Sequence, residues 1–119
     1  MMDYKEMTIR RTPHGSMAQL PLSGRWLENI GFTTGTLVSA VYQDACLTLS
    51  VSHAPAPNAS SVIPVKSKLI RGKPRTQLTI DGFLLKRYGF HAGDRVVLCL
   101  MKGMIQITRI NNFTTVKLA

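Results

Sequence analysis

Basic side chains are concentrated in one short stretch of the chain. Residues 66–75 carry five bases within ten positions, namely Lys66, Lys68, Arg71, Lys73 and Arg75. Gly72 and Pro74 predict a turn or loop in the second half of the stretch. Lys66 and Lys68 are two positions apart and therefore share one face of a strand. Such side chains can reach successive phosphates of a nucleic acid, and a solvated loop without a ligand is the alternative.

The charge of the whole chain also favours a polyanionic partner. Its net charge is +9, and residues 59–119 carry eleven basic and two acidic side chains, whereas residues 1–58 carry four of each. Nucleic acid is the polyanion that such clustering most often binds. Two arginines precede a loop at the corresponding place in the first half. The bases that the sequence itself predicts to bind nucleic acid are Lys66, Lys68, Arg71, Lys73 and Arg75.

Candidates for catalysis are few. Metal-free RNA cleavage needs a base, an acid and a group that stabilises the charged phosphorane. His14, in the loop after Arg10 and Arg11, is the best single candidate, since His53 opens a Pro-rich segment and the repeat described next does not require His91. The carboxylates are scattered, and no metal-binding or nucleotide-binding motif is present. We therefore expect no cofactor and no metal, and these residues indicate binding rather than an assigned catalytic site.

An internal repeat positions these residues. Shifted by 58 positions, residues 19–51 align without a gap on residues 77–109. Apolar residues recur at most of the matching sites, and we interpret the chain as two copies of one small module. The eight identical pairs are Gln19/Gln77, Leu20/Leu78, Gly24/Gly82, Leu27/Leu85, Gly31/Gly89, Phe32/Phe90, Gly35/Gly93 and Val38/Val96.

Each copy has a short helix with recognisable ends. Ser23 and Asp81 are predicted helix N-caps, because their side-chain oxygens can accept from free backbone N–H groups. Gly31 and Gly89 are predicted to end the helices in the left-handed conformation. The phenylalanine that follows each glycine should pack back on a leucine in the last helical turn.

The full pattern of each copy is strand, short helix, strand, tight turn, strand, with a preceding strand at Met7–Arg11 and Val65–Ile70. One such module has a marginal core, so the two should bury their apolar faces together. The prediction is a mainly β fold with two short helices, in one pseudo-dimeric domain. Its parts are a first module at 1–53, a linker at 54–64 and a second, basic module at 65–119.

One motif resembles a known family. It runs Leu-x-Leu-Ser-Gly-Arg-Trp-Leu-Glu-x-x-Gly-Phe-x-x-Gly-Thr over residues 20–36, followed by Cys-Leu-Thr-Leu at 46–49. This pattern resembles the SymE family of small bacterial toxins of type I toxin–antitoxin systems, closely over 19–52 and more loosely over 77–110. That family is similar to the AbrB/MazE group. The resemblance therefore implies an AbrB-like swapped-hairpin β-barrel formed by two pseudo-symmetric modules.

The same resemblance implies a function. It is a SymE-like toxin that binds DNA and/or RNA through basic strands and loops, which correspond here to Arg10, Arg11, Lys66, Lys68, Arg71, Lys73 and Arg75. An endoribonuclease that cleaves mRNA is the alternative, and an AbrB/MazE-like DNA-binding antitoxin or regulator ranks last. The chain departs from the family by having two modules and by carrying Leu84 and Lys86 where the first copy has Trp26 and Glu28.

The remaining expectations concern location and assembly. No run of about twenty apolar residues is present, and the N-terminal residues lack the order of a secretory signal. Two cysteines at non-equivalent positions predict no disulfide framework. We therefore expect a cytoplasmic protein with no membrane partner. A chain of two modules could close its barrel internally or pair as a homodimer.

Overall fold

A computed structural model describes residues 3–12, 17–43, 46–51, 61–80, 82–87 and 89–110. Within these ranges the chain forms ten strands and two short helices, which confirms the mainly β class. The strands are β1 (Asp3–Thr8), β2 (Arg10–Arg11), β3 (Ala18–Ser23), β4 (Leu37–Gln43), β5 (Cys46–Val51), β6 (Ser61–Pro64), β7 (Lys66–Ile70), β8 (Lys73–Ile80), β9 (Arg95–Met101) and β10 (Met104–Ile110). The helices are α1 (Arg25–Asn29) and α2 (Gly82–Arg87).

The strands form two antiparallel sheets that both contain strands from each copy. The larger sheet has the order β1-β9-β10-β5-β4-β6, and the smaller has the order β2-β3-β8-β7. The copies meet directly where β5 pairs with β10 and where β3 pairs with β8. Each sheet is therefore built from strands of both copies.

The two contacts between copies are centred on equivalent residues. Pro21 faces Thr79 in the β3–β8 pair, and Thr48 faces Gln106 in the β5–β10 pair. Each of these pairs is separated by 58 positions, which is the shift of the sequence repeat. Both strand pairs are therefore centred on residues that lie 58 positions apart.

The leading strand of each copy pairs with the opposite copy. β1, before the first copy, pairs with β9, and β6, before the second copy, pairs with β4. After each leading strand the chain passes into the smaller sheet at one buried residue. Ile9 exchanges backbone hydrogen bonds with Gly93 and Asp94, and Val65 does the same with Gly35 and Thr36.

These crossings correct the prediction of one continuous strand at Met7–Arg11. Ile9 bonds to a turn of the other copy, so the segment is divided between β1 and β2, in different sheets. In the second copy the predicted strand Val65–Ile70 begins one residue later, at Lys66. The last four residues of the predicted linker form β6, because β4 offers them a free edge.

The C-terminal ends of both helices follow the predicted design, Ser23 does not cap α1 as predicted, and Asp81 lies outside the described residues. Gly31 and Gly89 have φ of 96° and 86°, and the next N–H in each copy donates back to Leu27 or Leu85 at 2.8 Å. The helix stops are therefore confirmed. The N-cap prediction is wrong for Ser23, because Gly24 occupies the cap without a side-chain hydrogen bond. No helix in the described part of the chain is long and apolar enough to cross a membrane.

The core is built from equivalent residues of both copies. The two helix-stop phenylalanines and the leucines on which they pack have no solvent exposure. Alternate residues of the central strands join them, and buried positions of one copy match buried positions of the other. The matching buried pairs include Leu20/Leu78, Leu22/Ile80, Leu27/Leu85, Phe32/Phe90, Val38/Val96, Ala40/Leu98, Leu47/Ile105 and Leu49/Ile107.

Candidate nucleic-acid interface

The strongest concentration of free positive charge lies on one β-hairpin, which we call the basic hairpin: β7, the turn Arg71-Gly72 and β8. Ile70 pairs with Lys73, so the turn contains two residues. Arg71 and Gly72 both have positive φ, 55° and 78°, as two-residue hairpin turns of type I′ require. The turn predicted from Gly72 is therefore present, whereas Pro74 lies within β8, opposite Leu69.

Four bases of the hairpin share its solvent face. Lys68 stands opposite Arg75, and residues opposite each other in an antiparallel pair point to the same side. Alternation along the strands adds Lys66 and Lys73 to that side. The other side of β8 carries Thr76 and the buried residues that follow it at every second position.

The solvent face of the hairpin is unneutralised. All five bases from Lys66 to Arg75 are exposed. None of them has an ion-pair partner among the residues that the structure describes. The hairpin thus presents four aligned cations, with Arg71 at its tip.

The two remaining predicted bases lie at the opposite edge of the smaller sheet. Arg10 pairs with Gln19, which shares the outer face of β3 with Pro21 and Ser23. That outer face continues through the pair Ser23–Gln77 to Lys66. Arg10 therefore shares the face of the four hairpin bases. Arg11 pairs with the buried Ala18 and points to the other side.

Other bases of the second copy serve packing. Arg95, at the start of β9, forms an ion pair with Glu6 of β1. Arg109 donates through Nη1 to the Gly89 carbonyl oxygen and lies 4.0 Å from an Asp94 carboxylate oxygen. Part of the +9 charge is thus used to join the leading strand of one copy to the other and to hold a helix stop. The total charge alone would therefore overestimate the number of bases that are available to bind nucleic acid.

Beside the basic hairpin lies a groove that joins the two copies, which we call the composite groove. Its volume is about 370 Å³, and it lies between the start of α1 and the first half of β8. The first copy contributes Arg25 and Glu28, and the second contributes Lys73 and Arg75. The Gly24 N–H donates to the Thr76 carbonyl oxygen at 3.2 Å and so fixes α1 against β8.

Sequence reasoning missed Arg25 and Glu28 as site residues. Both lie 45 or more positions from Lys73, and residues 1–58, which contain them, carry no net charge. Only the β3–β8 pairing, which follows from the two-fold relation of the copies, brings α1 to the basic hairpin. Two features of the sequence could have indicated these residues. They are the repeat itself and the difference in charge between its two copies.

The histidines add little to the described site. His14, the best catalytic candidate from the sequence, and His53 lie outside the described residues. His91 is exposed, its backbone N–H donates to Asp94, and its Nδ1 lies 3.7 Å from the same carboxylate oxygen. No group of three or more His, Cys, Asp or Glu side chains within the described ranges is arranged to hold a metal ion.

Trp26 gives α1 an aromatic surface on the side of β1. Its Nε1–H donates to the Ser23 carbonyl oxygen at 2.9 Å. The Lys5 ammonium lies 5.2 Å from the ring centroid, within the range of a cation–π contact. A second groove lies here, lined by Lys5, Glu6, Pro21 and Trp26. The ring is half-buried, so its main contacts are within the protein.

Comparison with known proteins gives one partial likeness. No family model matches the chain, and no solved structure matches it. Two curated proteins named endoribonuclease SymE, from Salmonella paratyphi C (strain RKS4594) and Salmonella choleraesuis (strain SC-B67), are each 31% identical over 65 residues. The match covers 55% of this chain and 58% of each relative. Over about half its length, the chain is therefore similar to proteins named endoribonuclease SymE.

Proposed function

We propose that the protein is a SymE-like toxin that binds nucleic acid through the basic hairpin. The observation that carries this proposal is the set of four exposed, unpaired bases on one face of β7 and β8. Arg10 extends that face, and Arg71 stands at the hairpin tip. The similarity to the SymE proteins supports the same class of function.

The spacing of the bases suits a phosphate backbone. Residues two apart on a strand are separated by roughly 7 Å. Along the helix axis, that distance is about twice the rise per nucleotide of one strand of B-DNA, about 3.4 Å. Four phosphate contacts predict that the logarithm of the binding constant falls with the logarithm of salt with a slope of about −3 to −4. The proposed ligand is therefore DNA or RNA held mainly through its backbone.

The proposed architecture is an AbrB-like swapped-hairpin barrel with modules at 1–53 and 65–119. The exchange of leading strands, β1 onto β9 and β6 onto β4, supports this proposal. A cytoplasmic location follows from the proposed ligand. A single chain holds both modules, so it can form the barrel without a second protomer.

One titration tests the binding surface. The ligands are labelled duplex DNA and single-stranded RNA of equal length, each measured by fluorescence anisotropy at several salt concentrations. The variant Lys68→Gln/Lys73→Gln should weaken binding at least tenfold and reduce the salt slope by about 1.5 to 2. Lys86→Gln/Lys102→Gln removes the same charge elsewhere and is the matched control.

Equal losses of binding affinity in the two variants would contradict the assignment of the binding site to the hairpin, since the total charge would then explain the binding. Unchanged binding in both would contradict it as well. Expression of each variant in a bacterial host links the site to toxicity. We expect the hairpin variant to restore growth and the control variant to remain as toxic as the natural sequence.

RNA cleavage is the second candidate function. The name of the two similar proteins, endoribonuclease SymE, favours it. So does the composite groove, because it combines one carboxylate with three cations beside the basic hairpin. Incubation of the purified protein with labelled RNA, followed by a denaturing gel, tests this activity directly. Shortened RNA supports it, and intact RNA after long incubation contradicts it.

A further inference from the structure

We propose that the composite groove is an RNA-cleaving centre in which Glu28 is the general base and Arg25, Lys73 and Arg75 hold the scissile phosphodiester. This inference rests on the second candidate function. It differs from the sequence-based candidate, His14, and names a complete set of groups. All four side chains line one groove, which α1 of the first copy and β8 of the second form together.

Glu28 differs from the other carboxylates that the structure describes. Asp3 accepts the Tyr4 N–H, Glu6 is paired with Arg95, and Asp94 accepts the His91 N–H and faces Arg109. Among these described residues, Glu28 alone has no hydrogen-bond or ion-pair partner for its carboxylate. It is exposed and lines the groove with three cations. A carboxylate left open beside cations can accept a proton from a ligand.

The three cations supply the second requirement of the reaction. Arg25 and Arg75 carry planar guanidinium groups, which suit bidentate contacts with phosphate oxygens. Lys73, which also lines the groove, adds a third basic side chain. In the transition state the phosphorane carries more negative charge on its oxygens than the ground-state phosphodiester, and fixed cations stabilise that difference. The groove volume, about 370 Å³, is within the range of small-ligand sites.

The proposed step conserves atoms and electrons. The Glu28 carboxylate takes the proton of the ribose 2′-hydroxyl, and the 2′-oxygen forms a bond to phosphorus. The bond from phosphorus to the 5′-oxygen of the next nucleotide breaks with its electron pair. That oxygen takes a proton from the Lys73 ammonium or from water. The products are a 2′,3′-cyclic phosphate and a 5′-hydroxyl end, so the substrate is RNA and not DNA.

The second copy lacks this set of groups. Positions 83 and 86 correspond to 25 and 28 under the repeat, and they are Phe83 and Lys86. The α2 side is packed against Met17 and Ala18 of the other copy, where a Cβ added to Gly82 would lie 2.5 Å from the Ala18 carbonyl oxygen. Among the residues that the structure describes, this set of groups therefore occurs once.

The test compares Glu28→Gln with Asp3→Asn, which neutralises an exposed carboxylate outside the groove. The probe is a single-stranded oligoribonucleotide, assayed for both binding and cleavage. We expect Glu28→Gln to bind RNA normally and to cleave it about 100- to 10,000-fold more slowly, the range of general-base contributions. Asp3→Asn should cleave at the natural rate. Products should carry 2′,3′-cyclic phosphate ends, and a single 2′-deoxy substitution at the cleaved position should block that cut.

Each other outcome is decisive. Cleavage at the natural rate by Glu28→Gln, or cutting at a 2′-deoxy position, would overturn the inference. If the natural protein binds RNA but does not cut it, the inference fails while the binding function stands. If it neither binds nor cuts, the proposed function fails too. Arg25→Gln, another exposed site, provides a second variant and should slow cleavage about 100-fold or more.

Discussion

The two copies of the module differ far more on their surfaces than in their interiors. At buried sites the copies keep Leu27/Leu85 and Phe32/Phe90 identical, and both pairs are fully buried. At exposed sites of the helices Glu28 is replaced by Lys86. The comparison shows that packing retains the buried residues of the repeat, whereas backbone conformation retains glycines such as Gly31 and Gly89. Exposed positions can therefore carry different residue types in the two copies.

The exposed hairpins show the same contrast. From the crossing residue to the aligned glutamine there are ten positions in the first copy, Ile9 to Gln19, and twelve in the second, Val65 to Gln77. The two additional residues fall in the second hairpin, which carries the four aligned bases. The longer hairpin and the more basic surface therefore belong to the same copy. Lengthening a hairpin at the surface leaves the buried pairing unchanged.

The largest predicted effect tests the equivalence of the interiors. Phe32→Ala and Phe90→Ala should each lower the free energy of unfolding by about 3–5 kcal/mol, because each empties a fully buried site. Urea unfolding followed by circular dichroism measures both. The control Phe83→Ala removes a ring that is 77% exposed and should change stability by no more than about 0.5 kcal/mol. A large loss of unfolding free energy in only one of the two variants would contradict a core shared by both copies.

The next effect tests the difference between the helix surfaces. The double variant Arg25→Phe/Glu28→Lys gives α1 the residues that α2 has at the same positions. We expect RNA cleavage to fall at least about 100-fold. The unfolding midpoint should stay nearly unchanged, since both sites are exposed. Retained cleavage would show that the groove is not the cutting site.

A smaller effect separates neighbouring arginines. Arg10 shares the face of the basic hairpin, whereas Arg11 points to the other side. Arg10→Gln should therefore weaken nucleic-acid binding a few-fold and reduce the salt slope by about 0.7 to 0.9, the value for one phosphate. Arg11→Gln is its matched control and should leave both quantities unchanged. Equal losses would mean that the face assignment is wrong.

The smallest effect concerns the pair that joins β1 to the second copy. Glu6→Gln removes the ion pair with Arg95, in which both side chains are about half exposed. Exposed pairs contribute between about 0 and 1 kcal/mol, so the loss of unfolding free energy should stay within that range. Thermal unfolding at low and high salt measures it. A loss of several kcal/mol would show that the strand exchange depends on this pair and not on apolar packing.

Much of the fold could be predicted from the sequence because its signals are local. The helix stops depend on Gly31 and Gly89 and on the phenylalanine after each, all within a few residues. The strand pair β9–β10 depends on alternating apolar residues around Lys102-Gly103. The N-cap prediction for Ser23 was wrong because Gly24 takes φ of 127° and occupies the cap itself.

The parts that could not be predicted depend on contacts distant in sequence. Nothing local marks Ile9 as the point where the chain leaves one sheet for the other, since its partners Gly93 and Asp94 lie in the second copy. The same holds for Glu28, whose importance depends on strand β8. The basic hairpin was predictable because its five bases lie within ten consecutive residues. Its groove was not, because half of the lining comes from the other copy.

The exchanged leading strands have a consequence for assembly. Each copy completes its outer edge with a strand from the other, and we therefore propose that neither copy folds alone. The peptide connection between β5 and β6 keeps the partners at a fixed effective concentration, so dilution does not separate them. If that connection were cut, the halves should reassociate as a bimolecular complex whose stability depends on concentration. The protein therefore resembles two different subunits joined by a tether. A substitution on the surface of one half can stay in that half, whereas a homodimer would carry the same substitution in both subunits.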